Sequence, residues 1–321
     1  MEYERAEEMK DSWKGFLPLI GISILVYLLY RIGPGRILDA LLTVRPGFLF
    51  LAIILYLPFL IMQPLKWGYL LSKQGIKIRF RDLFRYNVIS WAYGMLTPAK
   101  LGSLIRIYYL RDHTKKPLAT CATSVIIDRM LDLLSVTILA FIGATFLSSF
   151  FIGLQYSIAA FMLVFFAGIV LFFQPRWNRH ILRVVYRFVV PKRMKGLAAK
   201  SFNELFENLP GFRSIFVTFV LSILTWVLLY SQLFVLAHAF SISVPYLQFI
   251  TIAPVTTIVG LIPVTIGGIG TREATYAVLF SVFGIQAALM VSFSLTSHML
   301  ALVVAVALLV RYGFRKPAEL P

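Results

Sequence analysis

The chain has 321 residues, 59% of them hydrophobic and 15% aromatic, with a mean hydropathy of +0.83 and a formal net charge of +17. That apolar content exceeds what a soluble chain of this length carries, and the runs are continuous instead of alternating, so the class is a polytopic all-α membrane protein and not a β-barrel. The Lys and Arg residues sit between the apolar runs, as in loops held against anionic lipid, so no nucleic-acid partner is expected.

The acidic N-terminal residues Glu2, Glu4, Glu7, Glu8 and Asp11 precede the first apolar run, and no small-residue cleavage site follows it. Segment 16–31 is therefore expected to remain as a first spanning helix and not to leave as a signal peptide. Further spans are expected at 47–71, 118–148, 152–174, 212–239 and 286–312, each near or above the ~17–25 apolar residues that cross the bilayer core. The single cysteine, Cys121, lies in one of them, which leaves no intrachain disulfide.

Two regions, 83–110 and 247–284, break the pattern. The first contains "LTPAKLGSLIRIYYL" and the second "LIPVTIGGIGTREAT". Both carry Leu-x-Pro-x3-Gly followed by an arginine: Leu96, Pro98, Gly102 and Arg106, then Leu261, Pro263, Gly267 and Arg272. Proline and glycine at these positions predict broken or re-entrant helix pairs, which persist at membrane depth only inside protein or around a wet cavity.

Lys and Arg number five in 72–86, three in 111–117 and nine in 175–213, against none in 149–153 or 240–247. The positive-inside rule then predicts cytoplasmic N- and C-termini in a plasma-membrane protein, although Arg31, Arg36 and Arg45 fall on the outer side. In this topology the first broken pair enters from the cytoplasm and the second from the exterior. Pro46-Gly47-Phe48 and Pro210-Gly211-Phe212 open the two halves, and Pro98 and Pro263 follow at nearly the same offset. The expected organisation is one transmembrane domain over 1–321. It comprises the first span, a repeat over 47–148, a linking span at 152–174, a basic amphipathic cytoplasmic segment at 175–211 and an inverted repeat over 212–312. Inverted repeats of this kind bind substrate near the midplane, where discontinuous helices meet.

Ionisable residues inside the membrane are candidates for function. Asp128, Asp132 and Glu273 are the acidic ones. Thr120, Ser124, Asp128, Asp132 and Ser135 recur at helical spacing and are expected to wall a cavity, with Arg129 in i+3 reach of Asp132. The alternative is that this pair locks the helix to a neighbour. After Gly267, Gly268 and Gly270, Thr271 is expected as an N-cap and Glu273 in the first turn. Capping explains Glu273 but not Arg272, because a cation at a helix N-terminus is disfavoured unless an anion shares the site. The same holds for Arg106, which follows Ser103, a candidate N-cap after Gly102. Amides with an arginine suit a phosphate, and Lys100 adds charge to the first motif. Snorkelling or internal pairing is the competing explanation. Trp91, Tyr93, Tyr108 and Tyr109 read as interface anchors, and His238 and His298 as hydrogen-bonded interior histidines. Arg176, Arg179, Arg183 and Arg187 define the basic face of the amphipathic segment.

With "VIIDRMLDLLSV" between them, the first motif and "LIPVTIGGIGTREATYAVLF" resemble the three signature segments of the lysylphosphatidylglycerol synthase transmembrane-domain family, also called flippase-like integral membrane proteins. The resemblance runs from about residue 16 to 312. Ser103 stands where the family's first motif usually has Glu. In the multiple peptide resistance factors of that family the domain is fused to an aminoacyl transferase and moves the modified phospholipid between leaflets. Only residues 313–321 follow the last expected span here, so no transferase is expected.

The resemblance and the charges together imply a lipid translocase for an anionic phospholipid or polyprenyl-phosphate-type lipid. In it Lys100, Ser103, Arg106, Asp128, Arg129, Asp132, Thr271, Arg272 and Glu273 form the site. Pro98, Gly102, Pro263, Gly267, Gly268 and Gly270 form the hinges. A secondary carrier of a small soluble anion is the alternative. Without a metal-ligand cluster, P-loop or nucleophile with a base, no enzyme activity and no cofactor are expected. Partners would be membrane lipids with anionic headgroups, with a second copy of the chain or a lipid-modifying enzyme as further candidates.

Overall fold

A computed structural model describes residues 17–95, 97, 100–173, 209–262, 265 and 267–312. Pro98, Pro263 and nearly all of the amphipathic segment at 175–211 lie outside the described residues. Every regular element among them is helical: α1 Leu17–Ile32, α2 Pro34–Leu42, α3 Pro46–Lys73, α4 Phe80–Met95, a 3₁₀ turn Leu101–Ile105, α5 Arg106–Thr114, α6 Leu118–Phe146, α7 Leu154–Phe173, α8 Phe212–Ala239, α9 Tyr246–Leu261, α10 Thr271–Phe280, a 3₁₀ turn Ser281–Phe283 and α11 Ala287–Tyr312. The chain is an all-α membrane protein. Helices α3, α8 and α11 are each long and apolar enough to cross a bilayer. Helix α2, absent from the sequence expectation, starts on Pro34 and buries Ile37 and Ala40.

Proline sets several helix starts, since its fixed φ suits the first turn and its missing N–H is not needed there. Pro46 is the first residue of α3, and Pro117 and Pro245 cap α6 and α9. Helices α4 and α9 run 16 residues each, about 24 Å at ~1.5 Å per residue, short of the ~30 Å core. They end at Met95 and Leu261, at the two Pro/Gly motifs.

Matching helices recur in the two halves. Starts at 46, 80, 106 and 118 are answered by 212, 246, 271 and 287. Helices α3 and α8 end alike. Gly75 (φ 70°) and Ser241 (φ 58°) are left-handed, Ile76 N–H bonds to the Leu71 carbonyl at 2.9 Å, and Ile242 N–H to the Ala237 carbonyl at 3.0 Å. These two helices pack along each other in opposite directions. Arg45 N–H, before α3, reaches the Ala239 carbonyl at the end of α8 at 2.9 Å, and Leu70 packs near Ile215.

The broken helices cross over between halves. Helix α4 packs on α11, where Arg85 Nε donates to the Tyr312 carbonyl at 2.8 Å. Helix α9 packs on α6, where a Cβ on Gly143 would fall 2.1 Å from the Thr251 carbonyl oxygen. Without a hydrophobic force between helices in lipid, such backbone approach at small residues supplies the packing. Helix α6 buries 17 of its 29 residues and is the central post.

Candidate functional site

At the first break the chain turns back after Met95, passes Lys100 in a left-handed conformation (φ 57°) and enters the 3₁₀ turn. Only glycine fits at 102, because a Cβ there would lie 2.4 Å from the Tyr93 carbonyl oxygen. Gly102 N–H donates to Thr97 Oγ1 at 2.7 Å, and Ser90 Oγ donates to the Ser103 carbonyl. Ser103 lies inside the 3₁₀ turn and does not cap α5, whose flanking residue is Ile105; the extra tight turn displaces the expected cap.

At the second break Gly267, Gly268 and Gly270 all have positive φ (62°, 77° and 85°), which L-side chains adopt at a cost. Gly270, not Thr271, flanks α10. Its N–H donates to Glu273 Oε2 at 2.6 Å, while Thr271 turns its hydroxyl back to the Gly268 carbonyl at 3.1 Å. The two breaks touch. A Cβ on Gly267 would sit 3.0 Å from the Met95 carbonyl oxygen.

Beside this junction lies a cavity of about 140 Å³, walled by Gln63, Lys100, Ser103, Arg129, Trp226 and Arg272 among others, so that both halves contribute. At ~10–15 Å³ per water-sized probe this has room for about ten waters, or for a headgroup of comparable size. Among the described residues, every charged side chain on the wall is a cation: Lys100, Arg129 and Arg272. Lys100 has no ion pair among the described residues; both guanidinium groups repel its ammonium, and the more distant Asp132 carboxylate attracts it. Arg272 is held from behind, donating to the Ser294 carbonyl at 2.9 Å and to Ser297 Oγ at 3.2 Å.

The carboxylates lie behind the wall. Glu273 is 1% exposed, accepts from Gly270 N–H and Ser294 Oγ (2.7 Å), and stands 3.7 Å from Arg272 Nε. The expectation that Thr120, Ser124, Asp128, Asp132 and Ser135 face a cavity is corrected: all five are buried in the packing of α6, and only Arg129 of that helix reaches the wall. The reason is Lys66, a fully buried lysine on α3 that the sequence reading passed over. Its ammonium binds Asp132 Oδ1 and lies 3.1 Å from Asp128 Oδ1. Arg106 is likewise fully buried. It donates to Asp128 Oδ2 at 2.6 Å and to Asn87 Oδ1 at 3.2 Å, beneath the Trp67 ring at 4.7 Å. Trp226 Nε1 donates to Asp132 Oδ1 at 3.2 Å, and the anticipated Arg129–Asp132 pair is present but long, at 4.0 Å.

Of the nine residues singled out, four therefore reach the cavity (Lys100, Ser103, Arg129 and Arg272). Arg106, Asp128, Asp132, Thr271 and Glu273 do not. Residues passed over were Lys66, Gln63 and Trp226, and His298, read as an interior histidine, lines the cavity; an ionisable lysine inside an apolar span was the available signal for Lys66.

The profile of the family described as "Lysylphosphatidylglycerol synthase TM region" matches residues 17–308, nearly the whole of the described fold and both breaks. The chain belongs to this family. Similar family members include a UPF0104 membrane protein of Methanothermobacter thermautotrophicus, 25% identical over 290 residues, covering 84% of this chain and 86% of that one. A UPF0104 membrane protein of Pyrococcus horikoshii is 21% identical over 310 residues, covering 90% and 92%. Another from Methanocaldococcus jannaschii is 20% identical over 295 residues, covering 87% of each. The family is a transmembrane one, and these relatives carry membrane-protein names without an enzymatic term.

Proposed function

We propose that this family member is a lipid translocase. It would pass an anionic phospholipid or polyprenyl-phosphate-type headgroup between leaflets through the cavity while the acyl chains stay in the bilayer. The observation that carries the reading is a cavity built from both halves whose charged wall residues are all cations, at the point where two broken helices meet. An intramembrane cavity of one sign attracts the opposite one and excludes its own. Lys100, Arg129 and Arg272 would hold the phosphate. Arg106, bonded inside the protein to Asn87 and Asp128, would act as the anchor that fixes α5 to α6.

The two halves are read as an inverted repeat, on the equivalent ends of α3 and α8, their opposite directions, and the reciprocal packing of α4 on α11 and α9 on α6. Rocking one half against the other would expose the cavity alternately to each side. The Lys and Arg residues of the loops support a reading in which both termini are cytoplasmic, and the plasma membrane is taken as the site of action.

The test is leaflet exchange of fluorescent phospholipids in proteoliposomes. The wild-type protein is expected to accelerate exchange, and Arg272→Ala to abolish it. A second reading, a carrier of a small soluble anion, draws on the same cations; solute uptake without exchange of any phospholipid or polyprenyl phosphate would establish it instead.

A further inference from the structure

The charges in and directly behind the wall do not balance. Among the described residues, Lys66, Lys100, Arg106, Arg129 and Arg272 are five cations, and Asp128, Asp132 and Glu273 are three carboxylates. Two positive charges are left over at a depth where unpaired charge is costly. The surplus lies on the cavity side, since Asp128 is shared by Lys66 and Arg106 and Glu273 is enclosed by Gly270, Ser294 and Arg272.

We infer that the cavity is built for a dianionic phosphate, a phosphomonoester or diphosphate headgroup, and not for a phosphodiester, zwitterionic or aminoacylated one. This rests on the translocase reading of the same cavity and narrows its substrate. A monoester has three free oxygens and loses its second proton near pH ~6, so it carries two charges at neutral pH. Three cations from three separate elements face it: Lys100 from the first break, Arg129 from α6 and Arg272 from the start of α10. A phosphodiester brings one charge and leaves one cation unmatched. An ammonium headgroup finds no carboxylate on the wall, because the nearest three are all at most 3% exposed and already bonded.

Trp91 and Trp226 line the cavity, so their fluorescence can report binding. Purified full-length protein in neutral detergent is titrated at pH 7.5 with short-chain phosphatidic acid, phosphatidylglycerol and phosphatidylethanolamine of identical acyl chains, and with inorganic phosphate. Phosphatidic acid should bind about tenfold tighter than phosphatidylglycerol or more, and the preference should shrink at pH 5, where the monoester keeps its second proton. Lys100→Gln and Arg129→Gln, neither of which breaks a close ion pair, should each weaken phosphatidic acid binding more than phosphatidylglycerol binding and so erase most of the preference. Phosphatidylglycerol or phosphatidylethanolamine binding as tightly as phosphatidic acid overturns the inference and leaves the translocase reading intact. Inorganic phosphate binding as tightly as phosphatidic acid upholds the dianion and overturns the lipid reading. No change in fluorescence or heat on adding any of the four overturns both.

Discussion

Replacing Lys66 by Met removes the cation that holds Asp128 and Asp132 together, at nearly constant side-chain volume. Lys66 is fully buried, and its ammonium contacts one oxygen of each carboxylate. After substitution Asp128 keeps Arg106, but Asp132 retains only the Trp226 indole at 3.2 Å and a guanidinium at 4.0 Å. Deleting one partner of a buried pair costs about 3–5 kcal/mol, because the remaining charge is stranded. The double variant Lys66→Met with Asp132→Asn removes one charge of each sign and should recover most of that loss, giving a coupling of about 2 kcal/mol or more in the double-mutant cycle. Thermal unfolding in detergent, followed by intrinsic fluorescence on wild type, both singles and the double, reads this directly. Exposed Lys115→Met serves as the control, expected within about 0.5 kcal/mol of wild type. If Lys66→Met behaves like Lys115→Met, or if the two substitutions simply add, the interior ion network does not hold α3 to α6 as described.

Arg106 and Arg129 should separate by role: Arg106→Gln strands Asp128 with one partner fewer and destabilises by about 3 kcal/mol, whereas Arg129→Gln, whose ion pair with Asp132 is long and partly exposed, changes stability by less than about 1 kcal/mol. Thermal shifts of the two purified variants distinguish them. Gly143→Leu should abolish folded protein in size-exclusion profiles, since even a Cβ meets the Thr251 carbonyl at 2.1 Å and forces α6 and α9 apart. Gly267→Ala should leave a folded protein weakened by about 1–2 kcal/mol, from its positive φ and the 3.0 Å approach to the Met95 carbonyl, and lipid exchange should fall more than stability because the junction of the breaks is displaced.

The helix breaks were legible because proline and glycine constrain backbone locally: Gly102 is forced by the Tyr93 carbonyl and Gly267, Gly268 and Gly270 by positive φ. The matching helix starts of the two halves follow the same local signals, which both halves repeat. Long-range pairing was not. Lys66 binds a carboxylate 66 positions away, and a lone lysine near the end of an apolar run gives no sign of whether it reaches headgroups or a buried partner. That one contact reverses the meaning of the α6 polar stripe, from cavity wall to packed interior. The cap assignments at Ser103 and Thr271 failed by one or two residues, because a 3₁₀ turn precedes α5 and a positive-φ glycine takes the position before α10.

The most direct test of the central claim, that the wall cations carry a lipid phosphate across, is exchange of fluorescent phosphatidic acid in proteoliposomes with Arg129→Gln beside wild type at equal reconstituted protein. The account predicts rapid exchange for wild type and at least about a tenfold loss for Arg129→Gln, with the unfolding temperature nearly unchanged. Equal exchange by the two proteins would contradict it.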